Sequence, residues 1–313
     1  MMSRFILKTF LLFFSLLFIT KVYAQLPNEK FGKPSSMEWE YIGWREALDA
    51  DALILYKTMK ATYQLSDQVE NFNQSSSEIG AGNFTDFSKN QIDQSNILVK
   101  YEFRLRTKIL KPEGAKHANI DITYYDTDNG MSDNNDELSD LNIKVFYKNE
   151  KGKVEKRNVK TNDFVKERVD SNYVVMHVEV PDVQAGNIIE YQYNITSIRP
   201  TFLYDWVYQE CIPTVRSSCD IDIPAFLLFN MNAPINKYMK SSVEAGHLAY
   251  DANRPDLKKG KSCPTNHYKI IGEYILPENM TEEKIAIFTS RITTPNVNIP
   301  AYMPKGSTHL KLK

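Results

Sequence analysis

The chain has 313 residues, with 38 lysine and arginine side chains against 39 aspartate and glutamate side chains. This near balance argues against nucleic acid or an anionic membrane surface as partner, because both select strongly basic faces. The 18 tyrosines and 16 phenylalanines favour a protein rich in β-sheet, since aromatic side chains pack well on pleated surfaces.

The first 24 residues have the order of a secretory signal peptide. Arg4 and Lys8 precede an apolar run over residues 10–19, and the segment ends in Val22-Tyr23-Ala24, which a signal peptidase accepts. The apolar run is about half of the ~20 residues that a membrane-spanning helix needs, so an uncleaved anchor is the less favoured alternative. We predict cleavage after Ala24 and an exported protein, periplasmic or extracellular, with no membrane span after cleavage.

The first half of the mature chain predicts an arm, a loop and several strands. In the N-terminal arm, residues 25–46, Ser35 and Glu38 have the spacing of a capping box. Residues 66–95 are rich in Ser, Asn, Gln and Gly and predict a long surface loop. Strands are predicted at 49–61, which contains the apolar run 52–56, and where apolar and polar residues alternate at 99–109, 120–124 and 141–147. A hairpin turn is predicted at 149–152.

The densest strand pattern covers residues 173–226. Two alternating runs, 174–180 and 189–195, are joined by a segment containing Pro181 and Gly186, and they predict an antiparallel pair. Further strands are expected at 206–208, 221–223, 225–230 and 267–276, a minor helix at 281–289, and a polar tail at 304–313. The fold class is therefore all-β, mainly antiparallel and of β-sandwich type, in one β-rich domain over residues 47–303.

Three cysteines in an oxidising compartment allow one disulfide and leave one thiol over. Cys211 and Cys219 flank a segment that predicts a turn between strands, so they are the first pair considered for a disulfide. Either could instead pair with Cys263, or all three could be small buried residues.

Three aromatic residues at strand spacing, Tyr204, Trp206 and Tyr208, are candidates for a platform on which a sugar ring stacks. The alternative, which is the more common use of such residues, is packing in the core.

No metal or cofactor site is predicted. The segment from Asp126 to Glu137 has oxygen ligands at alternate positions, but Gly130 stands one place too early for an EF-hand turn, and a solvated acidic turn is favoured. Cys263 and His267 offer two ligands without a second pair. The nine basic residues in 144–168 favour a charged hairpin face over a nucleic-acid site.

Five stretches in this order resemble the secreted bacterial domain of unknown function 3857: ADALILY, FRLRTKILKPEGAKHANIDI, VPDVQAGNIIEYQYNITS, LYDWVYQECIP and CDIDIPAF. The resemblance covers most of residues 47–230. It implies a β-sandwich-type accessory domain that usually precedes a transglutaminase-like core and to which no catalytic residues are attributed.

That core would carry a Cys–His–Asp site, and RITTPNVNIPAYMP at residues 291–304 resembles the linker that leads into it. A catalytic thiolate needs a helix start and a nearby histidine, whereas the cysteines here fall in predicted strands, turns or loops. The sequence therefore predicts no catalytic residues. It predicts an exported, non-enzymatic module that binds or scaffolds cell-envelope peptide, glycan or another exported protein. The alternative is the accessory N-terminal half of a transglutaminase-like peptidase or transferase whose core is missing or separately encoded.

Overall fold

The computed structural model describes residues 30–65, 97–127, 135–160, 164–224, 227, 229–232, 238–249, 262–277, 279 and 289–292. The predicted signal peptide, most of the predicted loop at 66–95 and most of the predicted helix at 281–289 lie outside these residues. Thr289, the last residue of that predicted helix, begins a strand instead.

Short helical segments appear at three places in the described chain. The α-helix α1 (Ser36–Glu40) begins with the predicted capping box: Ser35 Oγ accepts from the Glu38 amide at 3.3 Å, and Glu38 Oε2 accepts from the Ser35 amide at 2.5 Å. A one-turn 3-10 helix follows at Arg45–Ala47, and a longer 3-10 helix covers Pro112–Ala118.

The described residues otherwise form strands: β1 (Ala52–Leu65), β2 (Ile97–Ile109), β3 (Ile120–Tyr125), β4 (Glu137–Lys148), β5 (Val154–Asn158), β6 (Val165–Arg168), β7 (Tyr173–Val178), β8 (Ile188–Ser197), β9 (Thr214–Pro224), β10 (Phe229–Asn232), β11 (Met239–Ala249), β12 (Ser262–Ile275) and β13 (Thr289–Ile292). The structure is mostly β, which confirms the predicted fold class.

An eight-stranded sheet with the order β11-β12-β9-β1-β2-β8-β4-β5 carries the fold. The pair β1–β9 is parallel, and the other pairs of this sheet are antiparallel. The predicted hairpin between β4 and β5 is confirmed, with Gly152 at φ +73° in its turn, where a side chain would be strained.

A three-stranded sheet, β3-β7-β6, packs on one face of the large sheet, as a β-sandwich requires. Its Ile120, Ile122 and Val174 belong to the same hydrophobic core as Val99 and Tyr101 of β2. The connection over residues 198–213 fills more of that face. There, the hydroxyls of Tyr63 and Tyr101 donate to the carbonyls of Pro200 and Phe202, at 2.8 and 3.1 Å.

The opposite face of the large sheet is covered in part by the N-terminal arm. Trp39, Tyr41 and Trp44 of the arm pack against a second apolar cluster that contains Leu55 of β1 and Phe146 of β4. The two faces of β2 are therefore both occupied near its C-terminal end.

Two details of the predicted topology are wrong. The runs at 174–180 and 189–195 do form β7 and β8, but β7 pairs with β3 and β6 while β8 pairs with β2 and β4. The turn between β7 and β8 therefore passes from one sheet to the other. Both strands have one apolar face, and each packs it while pairing with different strands. The strand predicted at 206–208 is only an isolated bridge at Trp206.

Among the described residues, no helix is long and apolar enough to cross a membrane.

Candidate functional site

The structure does not join Cys211 to Cys219. Both thiols are free, with Cys219 buried inside β9 and Cys211 exposed before that strand begins. The segment predicted as a turn is extended: Thr214 and Cys219, five residues apart on one strand, are separated by roughly 17 Å. A disulfide requires Cα atoms within about 7 Å, so the predicted turn that would have closed the pair is absent.

Cys211 has a histidine beside it, although the pair is not arranged for catalysis. Its Sγ lies 3.8 Å from Nδ1 of His117. Burial, followed by the charge of Glu210, raises the pKa of Cys211, and burial lowers the pKa of His117. Both shifts oppose the thiolate–imidazolium form that a nucleophilic cysteine needs.

The aromatic residues proposed for sugar stacking are core residues. Tyr208 is fully buried and Trp206 is 7% exposed. The Trp206 indole N–H donates to Ser217 Oγ at 3.0 Å, and Lys57 Nζ covers its ring at 4.5 Å. The hydroxyl of Tyr204 donates to Asp136. Trp206 and Tyr208 are buried, and Tyr204 packs on the core edge-on to Tyr101 with ring centres 5.0 Å apart, so the alternative of core packing applies.

The acidic segment predicted as a solvated turn is held by cations at its start. Asp126 lies 3.3 Å from both Lys166 and Arg168 of β6. Residues 128–134 lie outside the described chain.

A buried ionic cluster holds the arm against the large sheet. Arg106 of β2 is fully buried and donates to Glu38 and to Glu190, both at 2.6 Å. Glu190 also accepts from the Tyr56 hydroxyl and from the Gly32 amide, at 2.5 and 2.6 Å. The guanidinium of Arg106 and the two carboxylates neutralise one another between the arm and the sheet. The cluster therefore stabilises the attachment of the arm.

Lys108, two residues further along β2, completes this attachment. Its Nζ donates to the backbone carbonyls of Glu38, Trp39 and Tyr41 at 3.1, 2.5 and 2.8 Å. Burial lowers the pKa of Lys108 to about 8.

A groove of about 550 Å³, here called the aromatic groove, opens where the arm, the β4–β5 hairpin and the turn at 182–187 meet. Its lining comprises Trp39, Tyr147, Lys148, Arg157, Asp182 and residues 184–187. The ring of Trp39 lies 5.5 Å from Lys148 Nζ, and Arg157 donates to the carbonyl of Pro181. Aromatic faces and cations from three chain segments therefore line one cavity.

The turn that forms one wall of the aromatic groove is fixed by backbone hydrogen bonds. The Gly186 amide donates to the Ile109 carbonyl at 2.8 Å, and the Ile109 amide donates to the Asn187 carbonyl at 2.9 Å. Asp182 and Gly186 have φ of +56° and +87°. A non-glycine residue in this region is uncommon and occurs where the surrounding structure holds it.

A second groove, of about 360 Å³ and here called the polar groove, crosses β2, β8 and β4. Gln192, Asn194 and Asp140 lie in it with charged residues of β2. Asn194 Nδ2 donates to Asp140 Oδ2 at 2.6 Å, and Asp140 has φ +55° at an irregularity in the β4–β8 register. This groove lacks the half-buried indole that lines the aromatic groove.

Sequence reasoning missed the aromatic groove. Trp39 and Tyr147 stand 108 residues apart and belong to no shared motif. The turn signal at Pro181 to Gly186 was visible, but it did not show which strands or arm would lie beside it.

One group of side chains could hold a metal ion among the described residues: Asp220, Asp222 and His267, each half-buried. They lie on β9 and β12, apart from both grooves.

The architecture defines a β-sandwich-type domain that carries a preformed surface groove. The chain belongs to the family described as Domain of Unknown Function with solved structure, DUF3857, whose match covers residues 95–253. The resemblance stated from the sequence is thereby confirmed. A search of curated proteins finds no match.

Among solved structures, the chain is similar to a crystal structure of a "putative protease" from Parabacteroides distasonis. The two chains are 11% identical with a TM-score of 0.46, and the match covers 77% of this chain and 40% of that chain. This chain therefore spans less than half the length of that protein, and a likeness at this level says nothing of its own activity.

Proposed function

We propose that this protein is an exported, non-enzymatic module that binds a peptide or glycan segment of the cell envelope in the aromatic groove. The observation that carries the proposal is the meeting of Trp39, Tyr147, Lys148 and Arg157 in one cavity. Its volume of about 550 Å³ lies within the roughly 300–1,000 Å³ typical of ligand sites.

The lining suits an amphipathic ligand that carries negative charge. The rings of Trp39 and Tyr147 offer apolar faces to the C–H groups of a sugar or to a peptide side chain. Lys148 pairs with Glu40 at 2.9 Å, and because both side chains are exposed, a carboxylate of the ligand can replace Glu40. Asp182 is the acidic residue of the lining, against the two cations Lys148 and Arg157, so the cavity attracts an anion once Lys148 leaves Glu40.

The groove is preformed, which lowers the cost of binding. The turn at 182–187 is fastened to β2 through Ile109, and Gln184 and Asn187 are joined by a hydrogen bond of 3.0 Å from the Gln184 amide to Asn187 Oδ1. Trp39 is held by its neighbours, because the carbonyl of that residue accepts from Lys108. Ligand binding therefore requires little ordering of the groove wall, so the entropy cost of binding is low.

The test is a titration of the purified protein with soluble peptidoglycan fragments, which combine a glycan with carboxylate-bearing peptides. Tyr147→Ala and Lys148→Ala should each weaken binding about 10-fold, the effect of losing roughly 1.4 kcal/mol of contact. The matched control is Gln192→Ala in the polar groove, which should bind as the unaltered protein does. Equal affinity in all four proteins, or loss only in Gln192→Ala, would reject the aromatic groove as the site.

A second role rests on the family resemblance rather than on the groove. In that role the domain acts as the accessory half of a transglutaminase-like peptidase or transferase and presents an envelope peptide to a core encoded elsewhere. A Cys–His–Asp protein encoded next to this one that binds it in a pull-down would support the role. Absence of binding to every adjacently encoded candidate would count against it.

A further inference from the structure

We propose that His267 and Asp220 bind one divalent transition-metal ion, with Asp222 holding the imidazole in place and Zn²⁺ the best match to the donors. Imidazole nitrogen and carboxylate oxygen are both zinc ligands. The site is separate from the aromatic groove and does not depend on the proposed binding function.

The register of three strands places these side chains together. Asp222 of β9 lies opposite His267 of β12, and Asp220 lies opposite Lys269, one pair further along the same face. On the other side of β12, Glu244 of β11 also lies opposite His267. Directly opposed residues in a sheet have Cβ atoms about 5 Å apart, so the imidazole is flanked by carboxylates on rigid strands.

The contacts fix the orientation of the imidazole. His267 Nδ1 lies 2.8 Å from Asp222 Oδ1, a hydrogen bond that makes Nδ1 the protonated nitrogen. In that tautomer the lone pair is on Nε2. A carboxylate holding one ring nitrogen so that the other binds the ion is the usual second partner in zinc sites.

The free nitrogen faces a second carboxylate at a distance suited to a shared ion. His267 Nε2 lies 3.7 Å from Asp220 Oδ1, which is too long for a hydrogen bond. Two ligands at 2.0–2.1 Å from a tetrahedral zinc ion are about 3.4 Å apart, so a shift of a few tenths of an ångström would bring both into coordination. One donor atom from each of the three residues lies within 4.8 Å of the others.

A second feature, independent of the acidic residues, points to a polar ligand beside the site. Thr265 is 3% exposed, and its hydroxyl is buried without a hydrogen-bond partner within the described structure. Gly246 of β11 lies against it: a Cβ there would stand 2.8 Å from Thr265 Oγ1 and 3.8 Å from Asp222 Oδ1. The Thr265 hydroxyl and the Asp222 carboxylate therefore border the same glycine, and a water molecule bound beside Asp222 would satisfy the hydroxyl.

Two lysines already lie near the cluster: Lys269 of β12, and the exposed Lys60 of β1, which lies opposite Asp220 on the other side of β9. Lys269 Nζ is 3.7 Å from Asp220 Oδ2, but its side chain is 45% exposed. An exposed pair of this kind contributes at most about 1 kcal/mol, so a doubly charged ion can displace it.

The protein contains its own control. His177 of β7 also has two acidic neighbours, Asp121 at 2.7 Å from Nδ1 and Glu167 at 3.2 Å from Nε2. Both ring nitrogens of His177 are thus within hydrogen-bond distance of a carboxylate. Neither has the longer separation that His267 Nε2 has from Asp220. His177 should not take part in metal binding.

The test is equilibrium dialysis of the purified protein against Zn²⁺, with the bound metal measured by mass spectrometry. We expect one zinc ion per chain at saturation. His267→Ala should abolish that stoichiometric binding, Asp222→Asn should weaken it about 10- to 100-fold through loss of the orienting carboxylate, and His177→Ala should leave it unchanged. Circular dichroism on each variant separates loss of metal from loss of fold.

Absence of saturable Zn²⁺ binding by the unaltered protein would overturn the proposal. So would binding that survives in a folded His267→Ala variant, because the zinc would then be held by other groups, such as the thiol of Cys211 beside His117.

Discussion

At the scale of single residues, charged side chains of β2 are buried at positions that the alternating sequence pattern predicts to face water. Arg104, Arg106 and Lys108 share one face of β2, opposite the apolar face that contains Tyr101. Arg104 is exposed at 41% of its side chain, yet Arg106 and Lys108 are buried because the N-terminal arm covers that end of the strand. A period of two identifies the two faces of a strand, but it does not identify what lies on each face.

Phe103 and Arg104, neighbours on β2, should differ in their effect on stability. Phe103 packs against the main core and stacks on Tyr193 with ring centres 4.7 Å apart. Because Phe103 is half-buried rather than fully buried, Phe103→Ala should cost about 2 kcal/mol, less than the ~3–5 kcal/mol of a fully buried ring. Arg104→Ala should cost under about 0.5 kcal/mol. Urea unfolding measures both, and equal effects would contradict the assignment of faces.

The cysteines should react unequally with a thiol alkylator. Cys219 is 1% exposed and burial raises its pKa, so it should not be labelled in the folded protein. Cys211 is exposed but its raised pKa leaves little thiolate at neutral pH, so it should be labelled slowly. Peptide mapping after timed alkylation gives both rates, with Cys211→Ser as control. Rapid labelling of Cys211 together with loss of a measurable amide-bond activity would instead make it a nucleophile.

At the scale of elements, the N-terminal arm and the three-stranded sheet are the two pieces that close the large sheet. The arm carries little secondary structure beyond α1, and polar contacts fasten it: Arg106 to Glu38, and Lys108 to three carbonyls. The three-stranded sheet is joined to the large sheet by apolar contact. The attachment of the arm therefore depends on buried charged groups, whereas the attachment of the three-stranded sheet depends on buried apolar area. Substitutions of charged residues should affect the first more than the second.

Removing Glu190 should loosen the arm. Glu190→Ala leaves the buried guanidinium of Arg106 with one carboxylate partner fewer, and breaking a buried pair typically costs about 3–5 kcal/mol. The control is Glu40→Ala, which removes the exposed partner of Lys148 and should cost at most about 1 kcal/mol. Urea unfolding gives both values, and proteolysis near residue 40 should accelerate only in Glu190→Ala. Similar costs for the two variants would show that the cluster does not stabilise the fold.

The three-stranded sheet should show a pH dependence from His177. The hydrogen bond to Asp121, with the charges of Asp121 and Glu167, raises the pKa of His177 above its ordinary value of 6.5. A raised folded pKa means that the stabilisation is fully present below about pH 6.5 and is lost as pH rises through the folded pKa. The difference in unfolding free energy between the unaltered protein and His177→Gln should therefore be larger at pH 6 than at pH 8.5. The effect should be small, because the imidazole is 40% exposed. A difference that does not change with pH would contradict it.

At the scale of the whole molecule, long-range pairing organises the chain. β1 lies beside β2 on one side and, in parallel, beside β9 on the other, more than 150 residues later. Parallel neighbours need a long connection, and here the intervening strands supply it by building both the rest of the large sheet and the three-stranded sheet.

Export is the prediction that concerns the whole chain. The order of Arg4, Lys8, the apolar run and Ala24 predicts removal of residues 1–24, and the mature chain would then carry 35 basic against 39 acidic side chains. N-terminal sequencing of the protein from a periplasmic or extracellular fraction should begin at Gln25 or its cyclised form. A membrane-embedded protein that retains Arg4 would show an uncleaved anchor instead.

The sequence by itself determined the fold class, the family, most strand positions and the capping box at Ser35, because each depends on local periodicity or on a few neighbouring residues. Only the tertiary structure decided that β7 and β8 lie in different sheets, that Cys211 and Cys219 stay apart, and that Trp206 is covered by Lys57. The tertiary structure also brought together the residues of the aromatic groove and of the cluster at His267. Their residues are distant in sequence, and strand register rather than any local pattern brings them together.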